Sequence, residues 1–140
     1  MYPFPYRVVS AHRTFWEKAM LLHEENFRLP EKRRKPGLAR HYYDLWCMIK
    51  KGVADKAMRN DELFQGIVEH RKTFFQQAWL DYDTLKRGTL RIVPPDDQIS
   101  YWRNDYKAIR YMFFGDIPEF DDMINTVRIF EETFNGPREK

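Results

Sequence analysis

Apolar residues recur along this chain mostly at helical spacing, and the breaks between runs fall on glycine and proline. Phe15, Ala19 and Leu22 share one face, with Trp16, Met20 and His23 beside them. This predicts a helix from an N-cap at Ser10 to about Phe27. Leu29 to Gly37 breaks the pattern with two prolines, a glycine and the run Lys32, Arg33, Arg34, Lys35, and reads as an exposed loop. A second helix is expected from about Leu38 to Lys51, with Tyr42, Leu45, Trp46 and Ile49 as its apolar face and Gly52 as its stop. Val53 to Met58 suits a short helix. Asp61 to about Lys86 reads as one long helix or two, with Phe64, Ile67, Val68, Phe74, Phe75, Trp79 and Leu85 as core positions. Thr89 to Pro95 is extended and closes on two prolines. A helix over about Asp97 to Phe114 ends at Gly115. The last helix, Glu119 to Asn135, carries Phe120, Met123, Ile124, Val127, Phe130 and Phe134 on one stripe. Tyr6 to Val9 is expected as a short strand, and a lone strand implies a sheet supplied from elsewhere. The predicted fold is mainly α: one domain over 1–140, an irregular bundle of five to six helices with a short N-terminal strand.

Composition changes this picture little. A chain of 140 residues that is 43% hydrophobic and 16% aromatic is long and apolar enough to build a core without staples. A single cysteine, Cys47, excludes an internal disulfide. No apolar run approaches a membrane span, and no signal peptide opens the chain, so the expected location is the cytoplasm. The net charge of +3 permits an anionic partner without requiring one.

Two segments place polar residues beside helical core positions. In Arg13-Thr14-Phe15-Trp16-Glu17-Lys18, Thr14 and Lys18 are four apart and share a face, so Lys18 could present a compact positive charge to a phosphate. Equally, Lys18 could snorkel over the core while Glu17 pairs with Arg13. In Arg40-His41-Tyr42-Tyr43-Asp44, Arg40 and Asp44 are an i,i+4 pair with His41 between them. This is either a surface ion pair worth about 0.3–0.5 kcal/mol or a carboxylate facing a cleft beside a basic neighbour. The Lys32–Lys35 run is either a solvated loop or an RNA backbone contact. Asp81-Tyr82-Asp83 has the form of a two-metal pair, but in a helical context its two acids diverge, and both are expected on the surface. The four histidines, His12, His23, His41 and His70, lack ligand spacing, no metal site is assigned, and Cys47 reads as filler among aromatics.

These two segments also carry a resemblance. Thr14-Phe15-Trp16-Glu17-Lys18 matches each fixed position of the Thr-x-x-Glu-Lys motif of the AbiEii/AbiGii nucleotidyltransferase toxins. Asp44 aligns with the last acid of that family's fourth motif, Arg-x-Lys-Asp-x-x-Asp. Arg40 stands at the lysine, His41 at the first acid and Leu38 at the first arginine. Lys86 to Pro94 and Tyr106 to Asp121 are similar to further family stretches, so the likeness runs from about Val8 to Asn135.

The resemblance implies the C-terminal, substrate-cradling half of a polymerase-beta-like transferase that moves a nucleotide from a nucleoside triphosphate to an acceptor. Lys18 and Asp44 would be its catalytic residues, and Thr14, Glu17, Arg40 and His41 would bind substrate. The family's Gly-Ser turn and metal-holding acids, which precede its third motif, have no counterpart here, and no Gly-Ser dipeptide occurs. Magnesium is therefore expected only where a missing N-terminal half completes the site, and the chain by itself is expected to be inactive. Transfer RNA or another RNA as acceptor, a cognate antitoxin and a homodimer are the expected partners. The alternative is a helical RNA- or protein-binding module without transferase activity. Lys18 and Asp44 are expected on neighbouring helices with their side chains turned to one shared groove, and a surface facing that groove, Tyr6 to Val9 included, is expected to be apolar and open.

Overall fold

The computed structural model describes residues 4–28, 34–115 and 117–136, and of 4–10 the backbone alone. These residues form six α-helices: α1 (Phe4–Asn26), α2 (Arg40–Lys50), α3 (Val53–Ala57), α4 (Asp61–Phe74), α5 (Ile99–Ile109) and α6 (Phe120–Asn135). Short 3-10 turns lie at Tyr82–Thr84, Asp96–Gln98 and Arg110–Met112. α1 packs against α2, α3 and α4, and α2 also packs against α3 and α6. This is the mainly-α bundle that the periodicity predicts.

The strand expected at Tyr6–Val9 is absent: those residues are the opening turns of α1. Val8 and Val9 disfavour a helix by less than about 0.7 kcal/mol each, which a continuous helix overrides. Pro5 falls in the first turn, where its missing N–H costs no hydrogen bond. Ser10 therefore lies inside the helix and does not cap it. The apolar surface expected around Tyr6–Val9 concerns side chains outside the described residues.

Aromatic rings fill the centre. Trp16 sits edge-on to Phe64 at 4.7 Å between centroids and lies 5.0 Å from Phe134, while Phe15 meets Phe130 at 5.0 Å. All six residues of the predicted α6 stripe are buried. Phe74 and Phe75 are not, and Phe74 is 70% exposed. The inward position one turn after Val68 belongs to Arg71, which Glu24 of α1 draws into the core through two hydrogen bonds of 2.7 and 2.8 Å. α4 ends three residues later at Phe74, where the Phe74 and Phe75 rings meet His70 and the Arg71 guanidinium lies over Phe75. The helix expected to continue toward Lys86 is replaced by irregular chain, in which Asp81 and Asp83 are both exposed. Asp81 Oδ1 accepts from the Asp83 N–H at 3.0 Å, so this acid caps a turn.

The extended segment after Gly88 crosses the bundle with no strand partner among the described residues. Leu90 and Ile92 are fully buried, so its backbone groups need other partners. Helix side chains supply them. Asn26 donates to the carbonyls of Arg91 and Val93, Asn135 holds the Gly88 and Leu90 N–H groups, and Glu131 accepts from Ile92 and Val93. Tyr42 donates its hydroxyl to the Ile92 carbonyl.

His23 belongs to this set. Its Nδ1 accepts from the Arg91 N–H at 2.9 Å, so its Nε2 carries the proton and donates to Thr84 Oγ1 at 2.9 Å. Burial, with the Arg91 charge adding to it, lowers its pKa from 6.5 to about 4. The unfolded chain binds that proton more tightly, so stability is full above pH 6.5 and falls as pH drops toward 4. Each unit of pKa separation is worth about 1.4 kcal/mol. Melting temperature should be level near neutrality and decline through that window, and His23→Gln should flatten the decline. An unchanged slope in the variant would place the effect elsewhere.

Candidate functional site

Two helices bring the predicted residues together, and each is oriented by its buried face. α1 buries Phe15, Trp16, Ala19, Met20, Leu22 and His23, and Trp16 Nε1 donates to the Ala57 carbonyl at 3.3 Å. Lys18 lies beside this stripe, half-buried. α2 buries His41, Tyr42 and Leu45. Tyr42 meets the Trp102 ring edge-on at 5.1 Å, which sets the rotation of α2 about its axis. Asp44, two residues on from Tyr42, consequently faces away from Trp102 and toward α1.

The start of α2 is held from another helix. Ala39 at the N-cap offers no side-chain acceptor. Asp105 of α5 does this instead: its two carboxylate oxygens accept from the Gly37 and Ala39 N–H groups, each at 2.8 Å. A carboxylate at a helix N-terminus also suits the helix dipole. Asp105→Ala leaves two backbone donors without partners and should cost about 1–3 kcal/mol, read as a lower midpoint in urea. A midpoint equal to wild type would show that water replaces the carboxylate.

The outcome is a three-residue cluster across two helices. Lys18 Nζ lies 2.8 Å from Asp44 Oδ2 and 3.4 Å from His41 Nδ1. Because an ammonium only donates, His41 Nδ1 must be the bare nitrogen, and the ring is the Nε2–H tautomer. Burial first, then Lys18 and Arg40, lower its pKa to about 4, with Asp44 acting weakly the other way. His41 is thus a neutral acceptor near pH 7 that orients the ammonium. Asp44 pairs across helices and not with Arg40 at i−4. Arg40 is exposed and makes no ion pair among the described residues.

The other predicted residues divide. Thr14 is exposed one turn before Lys18. Glu17 turns aside to Arg13 at 3.1 Å, the bland alternative for that residue. In the basic loop, Lys32 and Arg33 lie outside the described residues, and Lys35 is exposed. Arg34 is not a solvated side chain. It bonds the Glu25 carboxylate at 3.1 Å and the Gln98 side chain at 2.9 Å, and its guanidinium covers the Trp102 ring at 4.7 Å. It pins the loop to α5 and is unavailable to a nucleic acid backbone. Cys47 is partly buried and free.

This cross-helix pairing joins the two segments that carry the family motifs. The model of the nucleotidyl transferase AbiEii toxin family, of type IV toxin–antitoxin systems, matches residues 1–126. The chain belongs to this family. No curated protein and no solved structure matches it significantly.

AbiEii toxins are nucleotidyltransferase-type toxins of toxin–antitoxin systems, so a cognate antitoxin accompanies them, and the family's name implies a nucleoside triphosphate substrate. In this AbiEii chain the cluster offers one carboxylate, and Lys18 already engages it. Among the described residues no group of three or more His, Cys, Asp or Glu could hold a metal ion. Magnesium needs one or two carboxylates free to meet it together with phosphates, and these residues do not fit a resident ion. No described helix is long and apolar enough to cross a membrane.

Two contributors to the site were missed in the sequence. Asp105 lies far from α2 in the chain, and nothing in its neighbours marks it as a cap. Tyr43, on α2 beside Asp44, stacks on Phe113 with ring centroids 4.0 Å apart and planes 18° apart. Its place next to a motif acid was a usable signal.

Proposed function

We propose that this chain is the substrate-cradling helical half of an AbiEii-type nucleotidyltransferase toxin. In this reading Lys18 grips the triphosphate of an incoming nucleotide. His41, held neutral, leaves the ammonium its full charge while fixing its position. Asp44 holds Lys18 ready before substrate arrives and then helps complete the active site. Arg40, exposed one turn away, supplies a second cation for phosphate, and Thr14 borders the same face. Glu17 steadies α1 through Arg13. The acids that hold magnesium come from a segment outside these 140 residues, and the acceptor is an RNA in the cytoplasm.

The convergence of Lys18, His41 and Asp44 from α1 and α2 carries this reading. A solvated face would not need a neutral histidine buried beneath its lysine. An ammonium bonding a phosphate is charge-assisted on both sides, and such bonds are roughly twice as strong as neutral ones.

The test combines binding and transfer. The chain is titrated with each nucleoside triphosphate, then incubated with radiolabelled triphosphates, magnesium and transfer RNA. Binding that depends on Lys18, without label transfer by this chain alone, is the expected result. Label on the RNA would overturn the assignment of the metal-holding acids to another segment. Triphosphate binding indifferent to Lys18 would overturn the reading as a whole.

A further inference from the structure

The surface carries aromatic rings that the fold does not bury. After α5 the chain makes one 3-10 turn, Arg110–Met112, and presents Tyr111 and Phe114 to solvent, 82% and 91% exposed. Between them Phe113 turns inward and stacks on Tyr43, which stacks in turn on Trp46 at 6.0 Å. Tyr43 immediately precedes Asp44, so the Phe113–Tyr43 stack ties the segment that carries the exposed rings to the helix that carries Asp44. Gly115, at φ +81, turns the chain away directly after Phe114.

We propose that Tyr111 and Phe114 form a stacking platform for the bases of an unpaired RNA strand, on a segment that the Phe113–Tyr43 stack anchors to α2. The RNA assignment rests on the transferase reading in one respect: the strand is then the acceptor, led toward Lys18 and Asp44. The platform itself rests on its own chemistry. Ring faces open to water gain most from a base that has no stacking neighbour, and every base offers such a face. A duplex keeps its bases stacked and exposes only edges and backbone.

The surrounding charge agrees. Lys107, one turn before Tyr111, and Arg40, one turn before Tyr43, are exposed and make no ion pair among the described residues. Among the described residues Asp44 is engaged by Lys18, Glu119 by Arg110, and Asp105 by the start of α2. Two free cations flanking aromatic faces complement a strand that alternates phosphates and bases. An apolar protein partner would gain nothing from those charges.

The experiment is fluorescence anisotropy with the full chain, using a short labelled unpaired RNA and the same sequence as a duplex, at low and moderate salt. The wild type should bind the single strand at least tenfold more tightly. Phe114→Leu and Tyr111→Leu keep an apolar side chain but remove the ring, and each should weaken binding about tenfold. Both positions are exposed, so circular dichroism should show folded variants. Equal affinity for strand and duplex, or unchanged affinity in both variants, overturns the platform. It does so whether or not Lys18 grips triphosphate, which the titration above reads separately. A monomer–dimer equilibrium that Phe114→Leu abolishes without altering RNA affinity also overturns it, and assigns the patch to a second copy of the chain.

Discussion

Lys18→Met and Asp44→Asn should move triphosphate affinity in opposite directions. Lys18 meets Asp44 at 2.8 Å, and both side chains remain partly exposed, 24% and 39%. The pair is therefore accessible, and a triphosphate competes with the carboxylate for the same ammonium. Removing the ammonium deletes a charge-assisted contact worth about 1.5–3 kcal/mol, roughly a tenfold to hundredfold loss. Asp44→Asn removes the competing charge and leaves Lys18 free, so metal-free triphosphate should bind severalfold more tightly. Transfer by the completed enzyme should nevertheless fail in Asp44→Asn, because a neutral amide cannot replace a carboxylate in the assembled site. Calorimetric titration reads both signs. Neither substitution should lower the urea midpoint much, since partly exposed ion pairs contribute about 0–1 kcal/mol. Variants that change stability alone, with affinity untouched, would reduce the pair to a helix–helix clasp.

The largest effect on stability is expected at Arg71→Met. Arg71 clasps both oxygens of Glu24 between α4 and α1, and both side chains are nearly inaccessible. The Trp79 indole N–H donates to the Glu24 carbonyl at 3.1 Å, so the same spot also anchors the chain after α4. Removing the arginine leaves a carboxylate buried without its partner, which costs about 3–5 kcal/mol. Against a total stability of about 5–15 kcal/mol this is a large share. Replacing both members with apolar residues of similar size, Glu24→Met with Arg71→Leu, should recover most of the loss, because the desolvation penalty disappears with the charge. Urea denaturation of the two singles and the double variant measures the coupling. A loss below about 1 kcal/mol in Arg71→Met would mean that water reaches Glu24.

The particular misreadings share a cause. Phe74 and Phe75 match the apolar periodicity of α4, yet both are exposed, because an ion pair took the next core position and the helix stopped. Arg34 reads as one of four loop cations, but Glu25, Gln98 and Trp102 close around it. In each case the deciding partner is distant in the chain, and local spacing carries no information about it.

The sequence by itself determined the helical class and most helix limits. It also determined the buried stripe of α6, the extended run to Pro95 and the two motif segments that mark the AbiEii family. Those features depend on neighbours within a few residues, where side-chain period, proline and glycine act directly. Only the tertiary structure decided that His41 joins Lys18 and Asp44, that Asp105 holds the start of α2, and that Tyr111 and Phe114 stand open to solvent on a segment whose Phe113 stacks on Tyr43. Each of these depends on how helices rotate against one another. That rotation is set by interlocking core rings and by which buried polar groups find partners, neither of which a local pattern encodes.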